Sequence, residues 1–229
     1  MAHSIRKAGR SYRSLPPMFV LPKATFTEFE YGSSVEPMST TEQRATGYSV
    51  ESYFGLVRSG ELDPDDHVEL LDGVIVAEPP QDPPHASAIS RLTRVVADVV
   101  GRSAVIRVQL PFIAGPFSVP EPDLAVVAGK ESDYDDQHPT AALLIVEASF
   151  SSLPQDRLSK QRIYAAAGCP EYWIVNLRDE CVEVFRAPDV GSRLYRDRFV
   201  ARRGDLIRLV AMPESSVPVS ELLPPERTA

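Results

Sequence analysis

Cysteine is scarce in this chain. Cys169 and Cys181 are the two in 229 residues, too few for a disulfide scaffold and without the CxxC spacing of a zinc site. They read as reduced structural thiols. No apolar run approaches the roughly 20 residues that a membrane-spanning helix needs. Arg6, Lys7 and Arg10 near the start are not followed by an apolar stretch of about 7 to 15 residues, so the pattern of a secretory signal is missing and a cytoplasmic location is expected. An excess of positive charge is lacking too. With 24 Lys and Arg against 32 Asp and Glu, the net charge is −8. That excludes the uniformly basic surface of a nonspecific nucleic-acid coat and confines contact with a polyanion to a local patch.

What is present fits an ordinary soluble domain: 43% of residues are hydrophobic and 24% charged, enough to bury a core. Residues 1–45 hold scattered prolines without periodicity and read as a mobile arm. Ser49 caps a short amphipathic helix that Gly60 ends. Two β-type runs, Val68 to Leu71 and Val74 to Ala77, flank Asp72-Gly73, a strong hairpin signal. His85 to Val100 carries apolar residues at helical spacing and stops at Gly101. Strands are expected over Val105 to Leu110, Val119 to Val127 and Leu143 to Ser149, then a helix from Gln155 to Ala167. Further strands are expected at Tyr172 to Leu177 and Cys181 to Arg186, with short edge strands at Phe199 to Ala201 and Leu206 to Val210. Residues 213–229 read as a Pro-rich tail. The alternation gives one mixed α/β domain over residues 46–212.

Acids interrupt runs that otherwise read as buried strands. Strand alternation puts Glu121, Asp123 and Ala125 on one face, and Glu147 follows four aliphatic residues on a face shared with Ile145 and Ser149. A lone buried carboxylate costs several kcal/mol unless it is paired, protonated or bound to a cation. Two on neighbouring strands point to a divalent metal, because Mg²⁺ favours one or two carboxylates plus water and phosphate oxygen. The competing reading places both acids at solvated strand ends. Lys160 shares a helical face with Asp156, Ile163, Tyr164 and Ala167, so its ammonium would face the acids if that face packs on the sheet. Otherwise it forms an exposed i,i+4 pair with Asp156. His85, Glu69 and, more weakly, Gln109 are further polar candidates, each with a structural role open to it.

The succession Val68-Glu-Leu-Leu-Asp-Gly-Val-Ile-Val76, His85, Pro120-Glu-Pro-Asp-Leu-Ala-Val-Val127, Ile145-Val-Glu-Ala-Ser149, Asp156 with Lys160 and Tyr164, and Ala167-Gly-Cys-Pro-Glu-Tyr-Trp-Ile-Val175 resembles the Uma family of restriction-endonuclease-like proteins, within the PD-(D/E)XK nuclease superfamily. The resemblance spans about residues 46 to 212. It implies a central sheet flanked by helices, with Asp123 and Glu147, joined by Glu69, holding Mg²⁺ or Mn²⁺ and His85 at a further polar position. Ser149 stands where the superfamily motif would place a lysine, and Lys160 matches the lysine this family carries on the following helix. The implied activity is metal-dependent phosphodiester hydrolysis of nucleic acid, DNA being the expected substrate. Lys160 would orient the attacking water and His85 would contact phosphate or move a proton. Arg91, Arg94, Arg102 and Arg107 are candidates for a basic edge. A homodimer is expected through edge strands or the Tyr172-Trp173 region. A noncatalytic binding or assembly protein on the same fold, and action on another phosphate ester, stay open.

Overall fold

The computed structural model describes residues 47–63, 66–78 and 80–226; the N-terminal arm expected over residues 1–45 lies outside them. Helix α1, Val50–Ser59, starts where the Ser49 hydroxyl accepts from Ser52 N and stops at Gly60, whose φ of 75° is left-handed. The hairpin strands β1, Val68–Leu71, and β2, Val74–Ala77, pair antiparallel with Leu71 opposite Val74. The two turn residues have φ of 47° at Asp72 and 83° at Gly73. Positive φ at both positions is what the tight Asp-Gly turn requires.

Helix α2, Pro83–Val100, follows, capped by Asp82. The main sheet then assembles from β3, Val105–Arg107; β4, Leu124–Val127; β5, Leu144–Ser149; β6, Glu171–Asn176; β7, Cys181–Asp189; and β8, Leu194–Ala201. They lie side by side in chain order, and every pair is antiparallel except β5 with β6. A parallel pair needs a crossover. Here it is the helical segment α3, Leu153–Gln155, a π-helical turn Asp156–Lys160, and α4, Gln161–Ala166. β9, Leu206–Arg208, and β10, Ser216–Pro218, form a small separate pair before α5, Val219–Leu222.

Strand alternation divides the core between two faces. Leu124, Val126, Leu144, Val146, Ala148, Trp173 and Val175 pack with Leu92 and Val96 of α2 and with Val217 and Leu222. Ala125, Val127, Ile145, Tyr172 and Ile174 pack with Ile163 and Tyr164 of α4. The mixed sheet is therefore flanked by helices on both sides. Among the described residues, no helix is long and apolar enough to cross a membrane.

Several expectations change. The strand expected over Val105 to Leu110 pairs only as Val105–Arg107, and the short edge strand expected at Phe199 to Ala201 is the end of the eight-residue β8. The strand expected from Val119 begins only at Leu124, because Pro120 and Pro122 cannot donate to a ladder; Val119 keeps a single bridge to Leu70. The Pro-rich tail is ordered to beyond Leu222, since Val217, Val219 and Leu222 bury their side chains in the core. Tyr172 and Trp173 are fully buried in a central strand, so the surface suggested for a homodimer does not exist. Edge strands β3 and β8 are what the sheet leaves for such pairing.

Candidate active site

The register Leu124↔Val146 continues backwards to set Asp123 opposite Glu147 on the α4 side of the sheet. Two hydrogen bonds fasten this arrangement: Ala148 N donates to Asp123 Oδ2 at 2.8 Å, and Asp123 N approaches Glu147 Oε2 at 3.4 Å. The two prolines that prevent earlier pairing leave Asp123 just ahead of β4, with its side chain lining a cleft of about 140 Å³.

The π-helical turn brings Lys160 into the same cleft. Its Nζ lies 3.1 Å from Glu147 Oε1 and 2.9 Å from Glu69 Oε1, with Glu78 Oε1 at 4.0 Å. One extra residue in a helical turn re-aims the side chains beyond it, and such turns recur at functional sites. Lys160 thus reaches the acids of the sheet and the hairpin, not the exposed pairing with Asp156. Asp156 is itself buried and accepts from the Ser152 hydroxyl at 2.8 Å.

Tyr164, one α-helical turn beyond Lys160, donates to Glu147 Oε1 at 2.7 Å. His85 at the head of α2 has Nε2 3.2 Å from Asp123 Oδ1, and Gln109 Nε2 donates to the same oxygen at 3.4 Å. Gln109 holds a left-handed φ of 50°, a conformation that costs a non-glycine residue on the order of 1 kcal/mol. All the candidates from the sequence except Tyr164 line the cleft, and Tyr164 lies beneath it. The four arginines proposed as a basic edge do not line it. Arg94 pairs with Asp98 and Glu221, and Arg107 lies over the Tyr134 ring.

Glu78, which sequence reasoning missed, completes the acidic wall. Hairpin register puts Glu69 opposite Val76, and the period of two sets Glu78 on the same side, diagonal to Glu69. That signal was available once the Asp-Gly turn was read as a two-residue hairpin.

Burial drives the Glu147 carboxyl well above the usual range, with Asp123, Asp156 and Glu69 adding to the rise and Lys160 opposing it. Burial pulls the Lys160 ammonium down, but Glu147, Glu69, Asp156 and Glu78 together hold it well above the ordinary lysine value. Glu78 is pushed up to about 8, chiefly by burial and then by Glu69. Among the described residues, Glu69 Oε2 is buried without a hydrogen-bond partner. A protonated Glu78 can donate to Glu69, whereas two ionised carboxylates would repel. The hydrogen bond to Asp123 raises His85 above its usual value despite its burial.

The donor set fits a hard divalent cation. Asp123 and Glu147 offer two carboxylates from adjacent strands, and the contact of Glu147 Oε2 with Asp123 N is long, at 3.4 Å. Mg²⁺ commonly takes one or two carboxylates, with water and phosphate oxygen supplying the rest. Among the described residues, no three His, Cys, Asp or Glu side chains form a group that could hold a metal ion. Glu69 is not brought together with the other two as one ligand group; its Oε1 accepts from Glu121 N at 2.7 Å and from Lys160.

A mixed sheet with helices on both faces thus brings paired acids and a buried lysine into one cleft. Residues 50–220 match the Uma2 family, described as "Putative restriction endonuclease", and the chain belongs to that family. Among solved structures it is similar to a crystal structure titled as a "putative nuclease belonging to DUF820" from Anabaena variabilis. The TM-score is 0.62 at 17% identity, over 76% of this chain and 97% of that one. That likeness is one of fold. No curated protein matches the chain.

Proposed function

We propose that this protein is a metal-dependent nuclease that hydrolyses phosphodiester bonds in nucleic acid, with DNA as substrate. One observation carries the reading: Asp123 and Glu147 meet across adjacent strands in a cleft that also buries the Lys160 ammonium, 3.1 Å from Glu147. The cleft supplies six carboxylates, Glu69, Glu78, Asp82, Asp123, Glu147 and Asp156, against the cationic candidates His85 and Lys160. A phosphodiester would be repelled from such a wall unless a cation inverted the local field.

Asp123 and Glu147 are the residues that would hold Mg²⁺ or Mn²⁺. When bound, such an ion polarises phosphate oxygen and lowers the pKa of attacking water. The neighbouring acids hold Lys160 well above the ordinary lysine value, so it remains an ammonium over the working pH range. It therefore serves as a fixed donor that orients water and offsets charge developing on phosphorus oxygens, not as a base. Glu69 fixes Lys160 from the hairpin side, and Tyr164 fixes Glu147 from below. His85, bound to Asp123, is placed to touch a phosphate or pass a proton at the mouth of α2.

The test is cleavage of plasmid, linear and single-stranded DNA, and of RNA, with Mn²⁺ and with chelator. Cleavage should require the cation and fall about 10²- to 10⁴-fold in Asp123→Asn and Glu147→Gln, which corresponds to several kcal/mol of transition-state stabilisation. Cleavage that persists in both pure variants refutes the proposal. Nucleic acid bound but left intact under every cation tried would identify a noncatalytic binding protein on a nuclease fold.

A further inference from the structure

Just beyond Glu147, after β5 ends at Ser149, the chain turns through Phe150, Ser151 and Ser152 at the rim of the cleft. Phe150 lines that cleft yet remains 45% exposed. A single exposed aromatic is ordinary on a protein surface, but this one is held in place. The Arg178 guanidinium lies over the ring, 5.8 Å from its centre, and Arg178 Nη2 donates to the Phe150 carbonyl at 3.2 Å. The loop beneath is fastened by Ser149 to Ser152, by Ser152 to Asp156, and by Leu177 N donating to Ser149 O. Arg178 in turn is anchored through its own N–H to Asn176 Oδ1 at 3.1 Å.

We propose that Phe150, backed by Arg178, is a stacking platform for an unpaired nucleobase, so that the cleft takes up single-stranded or frayed nucleic acid in preference to intact duplex. The proposal rests on the nuclease reading for the cleft's purpose, but not for its test. A ring fixed at a rim can meet the face of a base only when that base has left the helical stack. An aromatic ring beside a cationic guanidinium suits both the π-face of a base and the adjoining phosphate. Fixing the loop beforehand reduces the ordering cost on binding. The remaining lining of Gln81, Ser151, Ser152 and Gln155 offers hydrogen bonds without adding charge.

The experiment measures anisotropy of a labelled single-stranded oligonucleotide, its abasic counterpart and a blunt duplex. Full-length wild type, Phe150→Ala and Phe150→Tyr are compared in Ca²⁺ and in chelator. Phe150→Ala should weaken the single strand about 5- to 150-fold, the worth of stacking one base, and leave the abasic strand unchanged. Phe150→Tyr should retain affinity, and thermal unfolding should match wild type in both variants. Equal weakening of the abasic strand, no weakening at all, or a wild type that prefers duplex each overturns the proposal. Binding that follows Phe150 without Mn²⁺-dependent cleavage upholds the platform and refutes the nuclease. Cleavage lost in Asp123→Asn while binding ignores Phe150 does the reverse.

Discussion

Replacing Lys160 by Met keeps most of the buried stem and removes the charge that joins the hairpin to the sheet. Glu69 and Glu147, 1% and 3% exposed, then face one another without a counter-ion. Removing one partner from a buried ionic pair costs about 3–5 kcal/mol. In a domain of this size each kcal/mol lowers Tm by about 2–4 °C, so the variant should unfold about 6–20 °C below wild type at pH 8. The lysine's pKa is raised in the fold, so its own contribution is fully present below the unfolded lysine value and is lost only above it. The lysine itself therefore stays charged between pH 5 and 8, and any change over that range comes from the acids around it. Glu147 is also raised in the fold, so the native state binds its proton more tightly than the unfolded state, and stability falls as pH rises between the two values. Without Lys160 that fall steepens, and the deficit should shrink toward pH 5 as the carboxyls take up protons. Thermal unfolding at several pH values measures this, with the Lys160→Met, Glu69→Gln double variant recovering about 1–3 kcal/mol through coupling. A Lys160→Met protein within about 2 °C of wild type at pH 8, less than the shift from 1 kcal/mol, or additive variants, would refute the argument that the ammonium balances these acids.

Two further outcomes follow from the same geometry. Raising Glu78 from 4.5 to about 8 corresponds to about 5 kcal/mol between its charge states, which solvent at its partly exposed side chain reduces to about 1–2 kcal/mol. Its ionisation therefore destabilises the fold increasingly from about pH 4.5 to 8; Glu78→Gln should be more stable at pH 8 and nearly equal at pH 5, and parallel stability curves would count against this. Gln109→Gly should relieve the left-handed backbone, a gain of about 1 kcal/mol that the freer unfolded chain largely offsets, so stability should stay level or rise by up to about 1 kcal/mol, while Mn²⁺-dependent cleavage falls several-fold through loss of the amide at Asp123. Lower stability by thermal melting, or unchanged cleavage, would separate the strain from the site.

Much of the frame was readable because local chemistry and burial agree. The Asp-Gly hairpin, the Ser49 and Gly60 helix ends and the aliphatic run before Glu147 each point one way, and acids placed in apolar strands stood out against them. Where they disagreed, the reading slipped. Pro120 and Pro122 sit in a run whose side-chain pattern is β-like but whose backbone cannot pair, so β4 starts late. Residues after 212 look like a tail by proline content, yet Val217, Val219 and Leu222 find a surface on α2 that only the assembled sheet defines. The π-helical turn has no sequence period that distinguishes it from an α-helix, so the reach of Lys160 to Glu69 was not legible. Family membership and the likeness to a solved fold support the architecture, and the proposed roles of the cleft residues are read from its geometry.

The hairpin forms its own two-stranded sheet, tied to the rest through the Leu70 to Val119 bridge, the Tyr53 hydroxyl on Val68 O, Asp72 with Ser118 and Arg193, Gly73 with Phe117, and Glu69. Its acids and those of the main sheet share a single ammonium. Docking this hairpin and seating Lys160 are thus one event: a chain whose hairpin is displaced can retain its sheet and still lose the arrangement of the cleft.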